Sequence, residues 1–130
     1  MNTNVKKGEN NVFSRMSVGD LSSFAGKEFV KEQLGSTSCE ISVGTLGAGE
    51  AVPFLHHHRC NEEHYIFISG TGLFVVDGNE FDVTSGSIVR VSPEGVRGLK
   101  NVGTIPLVYI CVQAKEGSLE GYTMTDGLID

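Results

Sequence analysis

Apolar and polar residues alternate along much of this chain with a period of two. Cys39-Glu40-Ile41-Ser42-Val43-Gly44-Thr45-Leu46 puts Cys39, Ile41, Val43 and Thr45 on one face, the pattern of a half-buried strand. Similar runs are Ala51 to His58, Glu63 to Ser69, Leu73 to Val76, Asn79 to Thr84, Ser87 to Val91, Val96 to Val102 and Pro106 to Ala114. Turn signals separate them, among them Gly47-Ala48-Gly49, Arg59-Cys60-Asn61, Gly70-Thr71-Gly72, Ser85-Gly86 and Pro93-Glu94-Gly95. Asp77-Gly78 predicts a two-residue hairpin, because both central positions need positive φ. Nearer the N-terminus, Val12 to Met16 reads as a short strand. Val18 to Gly26 reads as a loop, or one helical turn begun by Ser17 or Asp20. Glu28 to Leu34 reads as a strand or edge strand stopped by Gly35. There is no long amphipathic helix and no internal repeat. Short strands, each ended by a turn, indicate an all-β sandwich or barrel, and closure also removes exposed strand edges. The expected organisation is a partly disordered N-terminal extension over 1–26, a β-barrel over 27–114 and an irregular tail over 115–130.

Composition narrows the function. At 130 residues the chain is long enough for one hydrophobic core. Its net charge of −6 argues against nucleic acid or an anionic membrane surface as partner, since both would repel it. No apolar run is long enough to span a bilayer, and the first residues are polar, unlike a signal peptide. Cys39, Cys60 and Cys111 are an odd number of cysteines, so reduced thiols and a cytoplasmic location are expected. Neither a Ser-His-Asp order nor a CxxC pair is present. The glycine-rich stretch from Gly44 to Gly49 leads into a strand, not the helix N-terminus that phosphate binding uses.

Candidate chemistry is concentrated between Gly49 and Gly70, which hold every histidine. In an extended segment His56 and His58 share a face and His57 looks away. Glu63 opens the next strand. If that strand pairs back, its carboxylate completes a cluster of two imidazoles and one carboxylate, which suits a divalent transition metal such as Fe, Mn, Ni or Zn. His64 alternates away from the cluster. Cys60 reads as a turn residue, a soft metal ligand or a reactive thiol, and Cys39 and Cys111 as packed strand residues. Tyr65 and Phe67 share the face of Glu63 and are expected to line the same cavity. In the last long strand Val108, Ile110 and Val112 occupy one face, and Tyr109, Cys111 and Gln113 the other. The second face points to the lumen if Tyr109 and Gln113 contact a ligand; otherwise their polar ends are satisfied in the core or at the surface. Arg90, in an apolar run, points to solvent or meets a carboxylate or ligand.

Gly49, His56, His58, Glu63 and Gly70 resemble the first cupin motif: a Gly, His-x-His, four residues, Glu, six residues, Gly. The gap from Gly49 to His56 is one residue longer than usual. Gly86, Pro93, Gly95 and Asn101 resemble the second motif, but its His is absent. Counting from Gly95 puts Gly98 in its place; counting from Asn101 puts Arg97 there. The resemblance runs from about Cys39 to Ala114. It implies a cupin-type double-stranded β-helix or jelly-roll barrel, often a homodimer, with His56, His58 and Glu63 as ligands of one metal. The missing His leaves two compatible options. One is a two-His, one-carboxylate triad with open positions. The other makes Arg97 a lumen cation for an anionic ligand such as a carboxylate. A guanidinium has no free lone pair to ligate a metal and repels one, so Arg97 is expected to keep its distance from it.

Three kinds of function follow. One is a metal-dependent enzyme on a small polar molecule, with dioxygenase, decarboxylase or isomerase chemistry among those implied by the resemblance. Another is a non-catalytic binder of a small molecule in the lumen. The third is a module kept for dimerisation.

Overall fold

A computed structural model describes residues 5–8 and 12–130; the disorder expected of 1–4 and 9–11 falls outside them. Lys6–Lys7 (β1) pairs with Ser14–Arg15 (β2) as a short ribbon. A single 3-10 turn, Leu21–Ser23, follows, and the Asp20 carboxylate accepts from the Ser22 backbone N–H at 3.0 Å as its N-cap. The barrel strands are Lys27–Phe29 (β3), Glu40–Leu46 (β4), Asn61–Ser69 (β5), Thr71–Val76 (β6), Asn79–Thr84 (β7), Ile88–Val91 (β8), Arg97–Asn101 (β9) and Leu107–Lys115 (β10). They form a five-stranded sheet, β3-β4-β10-β5-β8, and a three-stranded sheet, β7-β6-β9, all antiparallel. No helix of the described residues is long and apolar enough to cross a membrane.

Alternation explains how the sheets close. Along β5 the buried residues are Glu63, Tyr65 and Phe67; along β6 they are Gly72 and Phe74. The inward faces meet in one core of Tyr65, Phe67, Phe74, Leu99, Leu107 and Tyr109, with Val83, Val91 and Cys111. Asp77 and Gly78 take φ of 49° and 81°, the hairpin conformation that their identities favour. In β10 the register against β5 shifts between Val108 and Tyr109. Both Leu107 and Val108 are fully buried at that irregularity, which strict alternation would not allow.

Two segments differ from the sequence expectation. Glu28 to Leu34 is not one strand: β3 stops at Phe29, and Lys31–Leu34 forms one turn of helix (α1) closed by Gly35 at φ 69°. Lys31, Glu32, Gln33 and Leu34 all favour helix, and the glycine supplies a left-handed C-cap. Ala51 to His58 is not a regular strand either. It runs beside β9 and touches it only at isolated bridges, Ala51 with Lys100 and His56 with Arg97. Val52 donates to Leu99 O at 3.0 Å and His56 donates to Arg97 O at 3.1 Å. Three residues therefore bulge out opposite Gly98 alone. Pro53 has no N–H to continue the ladder, and Phe54 and Leu55 are left exposed.

Phe74 is wholly buried, with its ring 4.9 Å from that of Tyr65 and edge-on to it. Phe74→Ala should therefore cost about 3–5 kcal/mol, read as a lower urea midpoint with an unchanged m-value.

Candidate metal centre and lumen

Three donors converge at one end of the barrel. Glu63 enters from β5 with its side chain turned inward. His56 is held by two backbone hydrogen bonds with Arg97, of 3.1 and 2.9 Å, and His58 by its N–H to Pro93 O at 2.9 Å. His58 Nε2 lies 3.3 Å from Glu63 Oε2 and His56 Nε2 lies 3.8 Å from Glu63 Oε1. One ligand atom from each of the three residues falls within 4.8 Å of the others. His58 Nε2 and His56 Nδ1 are buried without a hydrogen-bond partner among the described residues. A nitrogen lone pair facing a carboxylate is repulsive unless a proton or a metal cation stands between them. The donor set, imidazole and carboxylate, is the kind that takes a divalent transition metal, so these residues fit such an ion. His57 is exposed, and His64 sits on the opposite side of β5 from Glu63 by alternation.

The position of the missing histidine belongs to Arg97. Its side chain is 1% exposed and its Nη1 donates to Glu63 Oε1 at 2.6 Å. The expected distance between Arg97 and the site is thus overturned: the guanidinium grips one of the prospective ligands. Its other nitrogens are also engaged, Nε with Gly95 O at 3.0 Å and Nη2 with Ser92 O at 2.7 Å. Gly98 faces away. A Cβ there would lie 2.5 Å from Leu55 Cδ2 and 3.2 Å from Val75 Cγ1, so a larger residue would collide with the bulged segment. Asn101, the last residue of the second motif, is fully buried and structural: its Nδ2 donates to Leu46 O and Ile105 O.

Glu63 is held from several sides. Tyr65 Oη donates to Oε1 at 2.6 Å; Cys111 Sγ and Gln113 Nε2 approach Oε2 at 3.4 and 3.5 Å. Asn61 Nδ2 donates to Gln113 Oε1 at 2.8 Å and so turns the amide nitrogen toward Glu63. Burial alone would raise the pKa of Glu63, but the hydrogen bonds from Tyr65 and Arg97 outweigh it and hold the carboxyl below its ordinary value. The same burial, with the bond to Glu63, pushes the Tyr65 phenol upward. Burial also pushes the Cys111 thiol up, reinforced by the Glu63 charge. For His56, burial lowers the pKa; Arg97 adds to this and Glu63 opposes it. The net shift is downward, so its imidazole is neutral at pH 7 with a lone pair to offer.

A cavity of about 540 Å³ opens from this cluster. Phe29, Val52, Phe54, Phe74 and Leu99 give it an apolar wall, and Tyr109, Cys111 and Gln113 line it from β10. Burial and the charges of Cys111 and Glu63 push the Tyr109 phenol up to about 12, so it stays a neutral hydroxyl. Tyr65 also lines the cavity. Phe67 does not: it is buried below, its ring 5.9 Å from that of Tyr109. Lys27, which the sequence reading passed over, lines the mouth. By alternation it shares a face with Phe29, and starting the strand at Glu28 hid it. Arg90 is outside, half-exposed and paired with Glu62 at 2.8 Å and Glu116 at 3.3 Å. All three cysteines are free, and Cys60 is exposed.

Removing one partner of a buried ion pair leaves an uncompensated charge. Arg97→Met should destabilise the metal-free protein by about 3–5 kcal/mol, and Glu63→Gln in the same chain should restore much of it, both read by urea unfolding. The pKa shifts give the pH dependence. His56 is harder to protonate folded than unfolded, so stability falls as pH drops below the ordinary value of 6.5 toward its lower folded pKa. Glu63 adds a further loss from its ordinary 4.5 down through its depressed folded pKa. Urea midpoints of chelator-treated protein should therefore decrease from pH 7 to pH 4, and His56→Ala should flatten the upper part of that decline.

Residues 42–113 match the family model described as "Cupin domain". The crystal structure of a cupin protein from Bacteroides fragilis is 37% identical, with a TM-score of 0.84, covering 92% of this chain and 98% of that one. A sugar phosphate isomerase from Silicibacter pomeroyi, of the cupin superfamily, has a TM-score of 0.61 at 16% identity, covering 69% of this chain and 60% of that one. An uncharacterized protein of Methanocaldococcus jannaschii, MJ1618, is 33% identical over 57 residues, which are 44% of this chain. The match spans about half of that relative's own length, 46%. Two antiparallel sheets form a double-stranded β-helix and the family model matches across most of their strands, so the chain belongs to the cupin family.

Proposed function

We propose that this cupin holds one divalent transition metal through His56, His58 and Glu63 and binds, or acts on, a small polar or anionic molecule in the lumen. The observation that carries this reading is the convergence of three electron-pair donors at the inner end of a cavity of about 540 Å³, two of them imidazoles with buried, unpartnered nitrogens. A metal there would supply a Lewis acid or an oxygen-activating centre. The chain's own residues do the rest. Arg97, Tyr65, Cys111 and Gln113 fix the carboxylate of Glu63 so that it cannot rotate away. Tyr109 and Gln113 offer hydrogen bonds to a ligand lying along β10, where Gln113 must share its amide with Glu63. Arg97 takes the space of a fourth protein ligand without ligating, which leaves more positions open to a bound molecule. The reaction stays unassigned. The isomerase of Silicibacter pomeroyi shares only the fold at 16% identity.

A metal-free binding module is the second reading, favoured by one observation: the buried Arg97 already neutralises Glu63. Elemental analysis of protein purified without chelator or metal-affinity resin separates the two. The first reading expects about one equivalent of Fe, Mn, Ni or Zn per chain, lost in His58→Ala. Arg97→His, which removes a cation and adds a donor, should tighten binding of the same metal at least about tenfold. Absence of metal, with no thermal stabilisation on adding any of the four ions, would leave the binding module.

A further inference from the structure

We propose that Lys27 anchors the anionic end of an amphipathic carboxylate in the lumen, whose apolar body lies against the aromatic wall and whose other end faces His56 and His58. This rests on the reading of the lumen as a ligand site and names the class of molecule that it takes.

Arg97 is 1% exposed and all three of its nitrogens already donate within the protein, so it has little left for a ligand. Lys27 makes no ion pair among the described residues and lines the mouth of the cavity, where an entering molecule meets it.

The Lys27 ammonium stands 5.3 Å from the ring centroids of both Phe29 and Tyr109, within range of attraction by the ring faces. Glycine at position 44 permits this. A Cβ on Gly44 would sit 3.0 Å from Tyr109 Oη and 3.3 Å from Lys27 Cδ, crowding the lysine stem and the phenol where they cross β4. The side chain is thus laid along the lumen rim by a bare stretch of backbone.

The lining is mostly apolar, with Phe29, Val52, Phe54, Phe74 and Leu99, and carries only a few polar side chains besides the cluster, among them Glu40 and Ser42 on β4. Burying hydroxyls against such a wall without partners is costly, so a polyhydroxylated body fits poorly. A phosphate dianion gains from several converging donors, whereas Lys27 is a single point charge. An apolar body with one carboxylate matches both features.

The test is isothermal titration of the full chain, once loaded with Mn²⁺ and once after chelation, with 4-phenylbutanoate, its neutral amide and glucose 6-phosphate. In both states 4-phenylbutanoate should bind at least about tenfold more tightly than the amide. Lys27→Met should bring that ratio close to one while leaving amide affinity and thermal melting unchanged, and Lys27→Arg should retain the preference. Equal binding of acid and amide by the native protein, a preference that survives Lys27→Met, or no binding of any probe would each overturn the proposal. Glucose 6-phosphate binding as tightly as 4-phenylbutanoate would overturn the apolar-body assignment. A Lys27-dependent preference in a chain that takes up none of Fe²⁺, Mn²⁺, Ni²⁺ and Zn²⁺ would uphold this inference and refute the metal reading alone; uptake of one of these ions without the preference would do the reverse.

Discussion

The contact between Arg97 and Glu63 governs the inner end of this barrel. At 2.6 Å, with both side chains almost wholly buried, neither charge has water to fall back on. Such a pair adds little to net stability relative to apolar residues, but it tolerates no half-measures: each partner needs the other. The guanidinium also donates to the carbonyls of Ser92 and Gly95. One side chain thereby ties β5, the turn before β9 and, through the backbone bridge to His56, the histidine segment. A cation built into the chain thus fixes the carboxylate of Glu63 beside the two histidines.

The same substitution sets the electrostatics. Glu63 is held as an anion by donors on three strands, β5, β9 and β10, and its charge is largely cancelled before any metal arrives. A divalent ion beside His56 and His58 would sit in a more positive site than one facing an unpaired carboxylate. The lumen is correspondingly divided. Its inner end is charged and crowded with donors, its middle is aromatic and aliphatic, and its mouth carries the ammonium of Lys27.

Much of the fold was legible from period-two alternation and turn chemistry. Asp77-Gly78 announced its hairpin because few residue pairs accept two positive φ values. The inward set Glu63, Tyr65 and Phe67 followed from alternation along a strand with a single buried face, whereas alternation put Tyr109, Cys111 and Gln113 together without saying which way they point. The failures have local causes. Lys31 to Leu34 carries both a passable strand pattern and good helix propensity, and the left-handed Gly35 decided for helix. Pro53 interrupts the ladder, so the histidine segment bulges where alternation predicted a strand. His56 and His58 still converge, because each is pinned by a backbone bond from another part of the chain rather than by strand geometry.

By itself, then, the sequence determined the all-β class, the Asp77-Gly78 hairpin and the three donors, because each depends on residue type at short spacing. It left open whether Arg97 or Gly98 stands where a histidine is missing, and Lys27 went unnoticed beside the run that begins at Glu28. Only the tertiary structure decided these. Which of two neighbours faces the lumen depends on the register of β9 against β6 and on Leu55 folding over Gly98. Whether a lysine reaches the cavity depends on what lies across the strand from it. Both are contacts between residues far apart in the chain, and no local pattern carries them.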